Sequence, residues 1–296
     1  MGTAMYYGWP DERALHAALV LATRAPSVHN SQPWRFRIGA RRIDLYLDPL
    51  RAQPPTGSIP RDALSSCGAA LHHLRVALAA AGWSTVVRRL PNPEDPNHLA
   101  SLAVVRHRPT MLELALGNAI PRRQTDRRDF GPAPIPPGSV GLVQERAMAN
   151  GANVRQAVGP TRAELVEVLD AAAQCHRGGA RCHRYGEPAV FGSASDHAEL
   201  LVLSTGGDER LAQLRAGEAL SAVLLTATNV GLASCALTDP LRAPDLRQRV
   251  RTRVLSGRGY PQAVIRIGWA PTDATTPPAT PRRQMSDVLE TFEAAS

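Results

Sequence analysis

The feature that most constrains this chain is that it repeats itself. The stretch Cys67-Gly-Ala-Ala-Leu-His-His-Leu-Arg-Val-Ala-Leu-Ala-Ala-Ala-Gly82 lines up with Ala216-Gly-Glu-Ala-Leu-Ser-Ala-Val-Leu-Leu-Thr-Ala-Thr-Asn-Val-Gly231 at one offset. Since 217 − 68 and 231 − 82 both equal 149, Gly68 falls on Gly217, Ala70 on Ala219, Leu71 on Leu220 and Gly82 on Gly231. Each segment reads as a long helix rich in small residues that ends at a glycine, the residue that most readily forms a left-handed C-terminal cap. Alanine-rich helices agree by chance fairly often, so the order of the flanking elements has to add support.

That order is similar in the two halves. In the first, a helix over about 11–24 stops at Pro26, and strands follow at 34–38 and 43–47, joined across Gly39-Ala40-Arg41-Arg42. The long helix comes next, then strands at 85–88 and 101–106. In the second half, a helix near 139–150 leads to a strand at 154–158, a helix near 161–173 and a strand at 200–204. The second long helix then leads to strands near 234–237 and 263–267. Each half is expected to be a mixed sheet of about four strands packed on helices, an α+β arrangement. The halves are taken as 1–118 and 119–296, with the Pro-rich stretch 131–138 in the boundary region. Two equivalent halves imply a pseudo-twofold axis, with a shared ligand expected between them.

Composition narrows the function classes. Hydrophobic content of 44% with 20% charged residues is that of a globular chain able to bury a core. Met1 to Pro10 shows no basic region leading into an apolar run, and apolar runs such as 219–227 contain Ser and Thr and are too short to span a bilayer. The expectation is a cytoplasmic protein with no membrane partner. All 34 basic residues are Arg and the formal net charge is +8. These arginines are scattered in pairs, and aromatic residues make up only 4%, so neither a basic face nor a stacking platform for nucleic acid is evident. A small anionic ligand is a simpler use for some of them. Cys175-His176 and Cys182-His183 form a curious repeat whose spacing matches no standard zinc or haem motif, so no metal is expected.

Three segments carry more polar chemistry than local structure requires. Ala25-Pro-Ser-Val-His-Asn-Ser-Gln-Pro-Trp-Arg-Phe36 holds a Ser, His, Asn and Gln loop between two prolines, suited to hydrogen-bonding a flat heterocycle or to forming an ordinary Ser turn. Ile120-Pro-Arg-Arg-Gln-Thr-Asp-Arg-Arg128 alternates guanidinium forks with a Thr hydroxyl, as a phosphate site would, though charge runs are commonly just solvated. Thr280-Pro-Arg-Arg-Gln284 in the tail has the same two readings.

These segments resemble the nitroreductase superfamily. Ala25 to Phe36 looks like its flavin-contacting loop, and Gly231-Leu-Ala-Ser-Cys-Ala-Leu-Thr238 is similar to its strand beside the flavin. Adding Arg215-Ala-Gly-Glu-Ala-Leu-Ser-Ala-Val-Leu-Leu-Thr-Ala, Tyr260-Pro-Gln, Ile267-Gly-Trp-Ala-Pro and Thr280-Pro-Arg-Arg, the match from about Leu15 to Leu289 resembles the Acg family of actinobacterial flavoproteins. The resemblance implies a nitroreductase-like fold with two subunit-like halves fused in one chain, a monomer acting as an internal pseudo-dimer. It also implies FMN. Arg123, Gln124, Thr125 and Arg127, with Arg282 or Arg283, would hold the phosphate; Pro26, Ser27, Val28 and Asn30 would contact the ribityl chain and ring. Backbone near Ala236, Leu237 and Thr238 would face the flavin edge, while Arg24 and Gln32 could serve flavin or fold. Where a second Pro-Ser loop should stand, the chain reads Met148-Ala-Asn-Gly-Ala-Asn153, which implies one FMN per chain and a dead second pseudo-site.

The resemblance further implies NAD(P)H as reductant and a small nitro, quinone or similar molecule as acceptor, the hydride chemistry being the flavin's. No catalytic triad or carboxylate pair is evident; His29 could touch a substrate or be structural. The alternative is an FMN-sequestering protein without ordinary turnover, since Acg-type proteins are associated with a lid over the flavin. The segment 171–199 is shorter than the usual insertion there, which favours an open site.

Overall fold

The computed structural model describes residues 8–39, 41–52, 61–177, 196–272 and 277–291. In chain order the elements are α1 (Glu12–Thr23), β1 (Trp34–Gly39), β2 (Arg42–Leu47), α2 (Pro49–Ala52), α3 (Arg61–Ala80), β3 (Trp83–Arg89), β4 (His98–Arg106) and α4 (Met111–Ala119). Then follow α5 (Ser139–Met148), β5 (Asn153–Gln156), α6 (Pro160–Arg177), β6 (Glu199–Thr205), α7 (Arg210–Asn229) and β7 (Ala233–Leu237). The chain closes with α8 (Pro244–Arg249), β8 (Tyr260–Gly268), α9 (Met285–Val288) and β9 (Leu289–Thr291). Local chemistry sets several boundaries. Asp11 caps α1 by accepting from the Ala14 amide at 2.8 Å. Thr110 and Glu113 form a reciprocal capping box that starts α4. Gly82 and Gly231 take φ of 88° and 84° just past α3 and α7, as the repeat predicts.

The residues form two compact units, described in turn. The first comprises 1–122, 213–221 and 281–296; the second comprises 123–212 and 222–280. The first unit holds a five-stranded sheet of order β3-β4-β2-β1-β9, antiparallel except where β9 joins β1 in parallel. The second holds a four-stranded sheet of order β5-β6-β8-β7. Read from the β3 and β7 ends, the orders β3-β4-β2-β1 and β7-β8-β6-β5 are the same, so the repeat extends from one helix to a whole sheet topology. The fold is the α+β arrangement of two similar halves expected, with two corrections of detail. The second sheet is antiparallel throughout rather than mixed. The tail, grouped with the second half on its position in sequence, supplies the first sheet's fifth strand, which three residues of ordinary composition do not announce.

The two sheets differ in what joins their outer pair. β1 and β2 form a direct hairpin, whereas α6 lies between β5 and β6. In the second unit α6, α8 and a π-helical turn at Val250–Val254 bury Leu200, Val202 and Val264 on one sheet face. Among the described residues, no helix is long and apolar enough to cross a membrane.

The first unit is organised around a close crossing between α3 and the Gln213–Ser221 portion of α7. A Cβ on Gly68 would run into the Leu214 carbonyl, and one on Gly217 into the Ser65 carbonyl. The two glycines that the 149-residue offset aligns are therefore each other's neighbours. Beside them Glu218, 1% exposed, accepts from Arg75 at 2.8 Å and from Arg89 Nε and Nη2 at 2.6 and 2.8 Å. A buried carboxylate is tolerable only with such charge-assisted partners. One turn on, Ser221 Oγ lies 2.7 Å from His72 Nδ1 and 2.8 Å from His73 Nδ1. A hydroxyl has one proton, so it donates to one imidazole and accepts from the other. Burial, reinforced by the Arg75 charge, pushes the His72 pKa down to about 3, so this imidazole is neutral at physiological pH.

Two outcomes follow. Gly68→Ala, which on an exposed helix would gain nearly 1 kcal/mol in propensity, should instead lower stability by roughly 2–4 kcal/mol through backbone overlap; urea unfolding measures this, and an unchanged midpoint would remove the close crossing. For His72 the folded pKa lies below the unfolded value, so its contribution is present above about pH 6.5 and is lost as pH falls toward 3. His72→Asn should flatten the stability profile over that window, read from thermal midpoints at successive pH values.

Candidate functional site

In the first unit, the loop between α1 and β1 has an unusual backbone. His29, Asn30 and Gln32 take φ of 50°, 52° and 48°, left-handed values that cost non-glycine residues energy and persist only where the surroundings enforce them. The enforcement is visible. Ser27 Oγ accepts from the Gln32 amide at 3.0 Å, and Ser66 Oγ on α3 accepts from the Val28 amide at 3.2 Å. Asn30 Nδ2 donates to the Pro281 carbonyl at 3.0 Å. Gln32, 3% exposed, accepts from the Arg283 amide at 3.0 Å, and its own carbonyl accepts from Arg283 Nη1. Pro26, Ser27, Val28 and Asn30 remain half-buried, and His29 is exposed.

The tail arginines are the other side of this arrangement. Arg282 donates to the Thr23 carbonyl at 2.9 Å and the Arg24 carbonyl at 3.0 Å, capping the end of α1, and reaches the Ala25 carbonyl and Asn30 Oδ1 at 3.4 Å each. Arg283 pairs with Asp48 at 3.3 Å and donates to the Asp287 carbonyl. Burial, and then the nearby Arg24 charge, lowers the Arg282 pKa to about 10, so it stays protonated while two guanidiniums concentrate positive charge at the helix end. The structure thus brings Pro26, Ser27, Val28, Asn30, Gln32, Arg282 and Arg283 together, and gives Gln32 and the tail arginines a definite part in shaping the loop.

In the second unit, the arginine-rich segment lies against β7. Thr125 forms a parallel bridge with Ser234, and the Asp126 amide donates to the Ser234 carbonyl at 2.9 Å. Arg123 is buried, Gln124 and Thr125 are half-buried and Arg127 is exposed; Ala236, Leu237 and Thr238 are half-buried at and just past the end of β7. Two polar atoms here, Gln124 Oε1 and Ser234 Oγ, are buried with no hydrogen-bond partner among the described residues. Buried polar atoms are normally satisfied, so these two are free to accept or donate to a further group at this junction. Cys235, next to Ser234, is buried and its thiol is raised by burial, which keeps it un-ionised and unreactive.

Sequence reading missed the supports of this junction. Arg266 on β8, 2% exposed, pairs with Asp196 at 2.7 Å, donates to the Arg128 carbonyl at 3.1 Å and stacks 4.7 Å from the Phe130 ring. Burial opposes the Asp196 charge, but the Arg266 bond and the Phe130 amide outweigh it and hold its pKa below the usual range. Asp126 is held down in the same way by Arg128 at 2.5 Å. A single arginine inside the apolar run Ala263–Ile267 was the readable signal for the first of these. Cys182-His183 lies outside the described residues, as do the side chains of Cys175 and His176.

No family model matches the chain. Individual relatives do. The Mycobacterium tuberculosis protein named "Putative NAD(P)H nitroreductase Rv3131" is 39% identical, covering 97% of this chain and 94% of its own. The same organism's "Putative NAD(P)H nitroreductase acg" is 34% identical over 93% of this chain and 95% of its own. A crystal structure described as "a putative nitroreductase" from Anabaena variabilis covers 92% of both chains with a TM-score of 0.61 at 8% identity, a likeness of fold. This chain belongs to the nitroreductase family, in its Acg branch.

The tail's hold on the loop can be checked directly. Arg282→Lys keeps the charge but not the planar fork, so it should cost about 1–3 kcal/mol in urea unfolding as the carbonyls it caps lose their donors. The exposed Arg41→Lys should stay within about 0.5 kcal/mol of the parent. Equal effects from the two would deny Arg282 its capping part.

Proposed function

We propose that this chain binds one FMN and uses it to reduce a small nitro, quinone or similar acceptor at the expense of NAD(P)H. The observation that carries the reading is the pair of unpartnered buried atoms, Gln124 Oε1 and Ser234 Oγ, where an arginine-rich segment meets β7. FMN fits that donor set: its phosphate suits guanidinium forks, and its ribityl hydroxyls and ring edge offer both donors and acceptors. Family membership supports the same assignment, and the names of the Mycobacterium tuberculosis relatives support a nicotinamide reductant.

In this reading Arg123, Gln124, Thr125 and Arg127, with Arg282 or Arg283, hold the phosphate. Pro26, Ser27, Val28 and Asn30 contact the ribityl chain and ring, and the Ala236, Leu237 and Thr238 backbone faces the flavin edge. Gln32 contributes by fixing the loop that carries those contacts. When bound, the flavin supplies hydride acceptance and donation at N5. The side chains orient it and need move no proton, the hydride chemistry being the flavin's own. We assign the sequence repeat to halves 1–118 and 119–296, the second lending its tail residues 289–291 to the first sheet, with one FMN because Met148–Asn153 departs from the Pro-Ser loop pattern, and place the protein in the cytoplasm as an internal pseudo-dimer.

The test is the visible spectrum of the purified protein supplied with FMN, followed by anaerobic NADPH or NADH. A retained flavin band that bleaches on adding either nicotinamide supports the reading. Failure to retain flavin would overturn it. A band reduced by dithionite but by neither nicotinamide would replace it with flavin sequestration. Arg123→Ala should weaken FMN retention by an order of magnitude or more, the loss of a buried charge-assisted contact.

A further inference from the structure

Among the described residues, part of one face of the first unit's sheet is exposed, and the reason lies in topology. In the second unit α6, placed between β5 and β6, covers the apolar residues Leu200, Val202 and Val264. The corresponding β1–β2 connection is a tight hairpin, so no helix is available there to do the same. Instead the face carries a cleft of about 620 Å³ whose lining includes Arg41, Arg42, Val86, Arg88, Ser101 and Ala103. That size lies within the range of small-molecule sites.

Strand register orders these side chains into two rows. Arg42, Ala103 and Val86 are cross-strand neighbours in one, and Asp44, Ser101 and Arg88 in the next. Val105 continues the apolar line two residues beyond Ala103 on the same face. Val86 and Val105 are 66% and 46% exposed, so the apolar line faces solvent. The carboxylate in this region, Asp44, is buried and already engaged by Arg42 Nε at 2.7 Å and His98 Nε2 at 3.1 Å. Arg88 is exposed at the rim beside Ser101, so the cleft combines an apolar track with the guanidinium groups of Arg42 and Arg88 on the two strands flanking Ser101. Tyr46 is taken on both ring faces, by Arg37 at 4.1 Å and by His98 at 4.4 Å, which leaves no platform for stacking an aromatic ligand.

We propose that this cleft binds an amphipathic organic anion, an aliphatic carboxylate whose chain lies along Val86, Ala103 and Val105 and whose head group sits over Ser101 between Arg42 and Arg88. The site is separate from the flavin reading and does not depend on it. An aliphatic chain matches the width of a single strand row, and bidentate carboxylate recognition matches the guanidinium fork.

The probe is sodium octanoate, titrated into isotope-labelled full-length protein supplied with FMN while amide resonances are followed. Saturable shifts confined to 86–88 and 101–105 are expected. The uncharged octanamide should bind at least tenfold more weakly. Arg88→Ala, which leaves the Asp44 partners in place, should weaken octanoate at least tenfold without moving the thermal midpoint, and Val86→Asp should do the same from the tail end. Shifts absent from these strands would overturn the proposal, as would octanamide binding as tightly as octanoate or affinity unchanged in Arg88→Ala. Shifts at these amides that grow with protein concentration without octanoate would also overturn it, assigning the face to a second copy of the chain.

Discussion

The backbone-to-backbone contact of Gly68 with α7 is the constraint on which the first unit's geometry depends. It lets two long helices approach closely enough for Glu218 to sit between Arg75 and Arg89, and Arg89 in turn fixes β3 to the crossing. The same turn of α3 reaches the other way. Ser65 underlies Gly217, Ser66 supports the Val28 amide, and Cys67 Sγ donates to the Pro33 carbonyl at 3.2 Å. Four consecutive residues therefore join the helix crossing to both ends of the polar loop, so displacement of α3 would be felt directly by the loop proposed to touch flavin.

That loop shows how local strain is retained where it is over-determined. Three left-handed non-glycine residues within four positions would relax in an isolated peptide. Here the caps from Ser27 and Ser66, the tail's Pro281 carbonyl and the Arg283 contacts leave no alternative that satisfies as many polar groups. The tail is thus part of the site's scaffold although nearly the whole chain separates it from the loop in sequence. Arg282 adds charge to the α1 C-terminus, where a cation is favourable against the helix dipole, and sits beside Arg24.

The second unit handles charge differently. Arg266 is placed in the middle of an apolar strand, and its Asp196 and Arg128 contacts hold the arginine-rich segment beside β7. Gly268 has to be glycine for Phe130 to pack there, since a Cβ would meet that ring. The burial that makes this network rigid also makes the unpartnered Gln124 and Ser234 atoms conspicuous, because water cannot readily satisfy them.

Much of this was legible in the residues. The periodicities located both long helices and the principal strands within a few positions, and the 149-residue offset anticipated two equivalent halves with a sheet of about four strands each. Short elements were not legible: α2, α9 and β9 have three or four residues each, too few for a pattern to rise above local composition. The loop, the arginine-rich segment and the tail stood out by type and spacing, and family resemblance gave them roles. Their supports, Ser66, Asp48, Asp196 and Arg266, are single polar residues in otherwise ordinary segments, and a single residue carries no periodicity. The sequence by itself determined the repeated topology, the helix-ending glycines and the segments rich in ligand-binding chemistry, because these depend on near neighbours along the chain. Only the tertiary structure decided that the tail completes the first sheet, that Arg282 caps α1 and that Gly68 meets Gly217. Those contacts are set by packing between residues far apart in sequence, where the gain from burial and hydrogen bonding outweighs local preference.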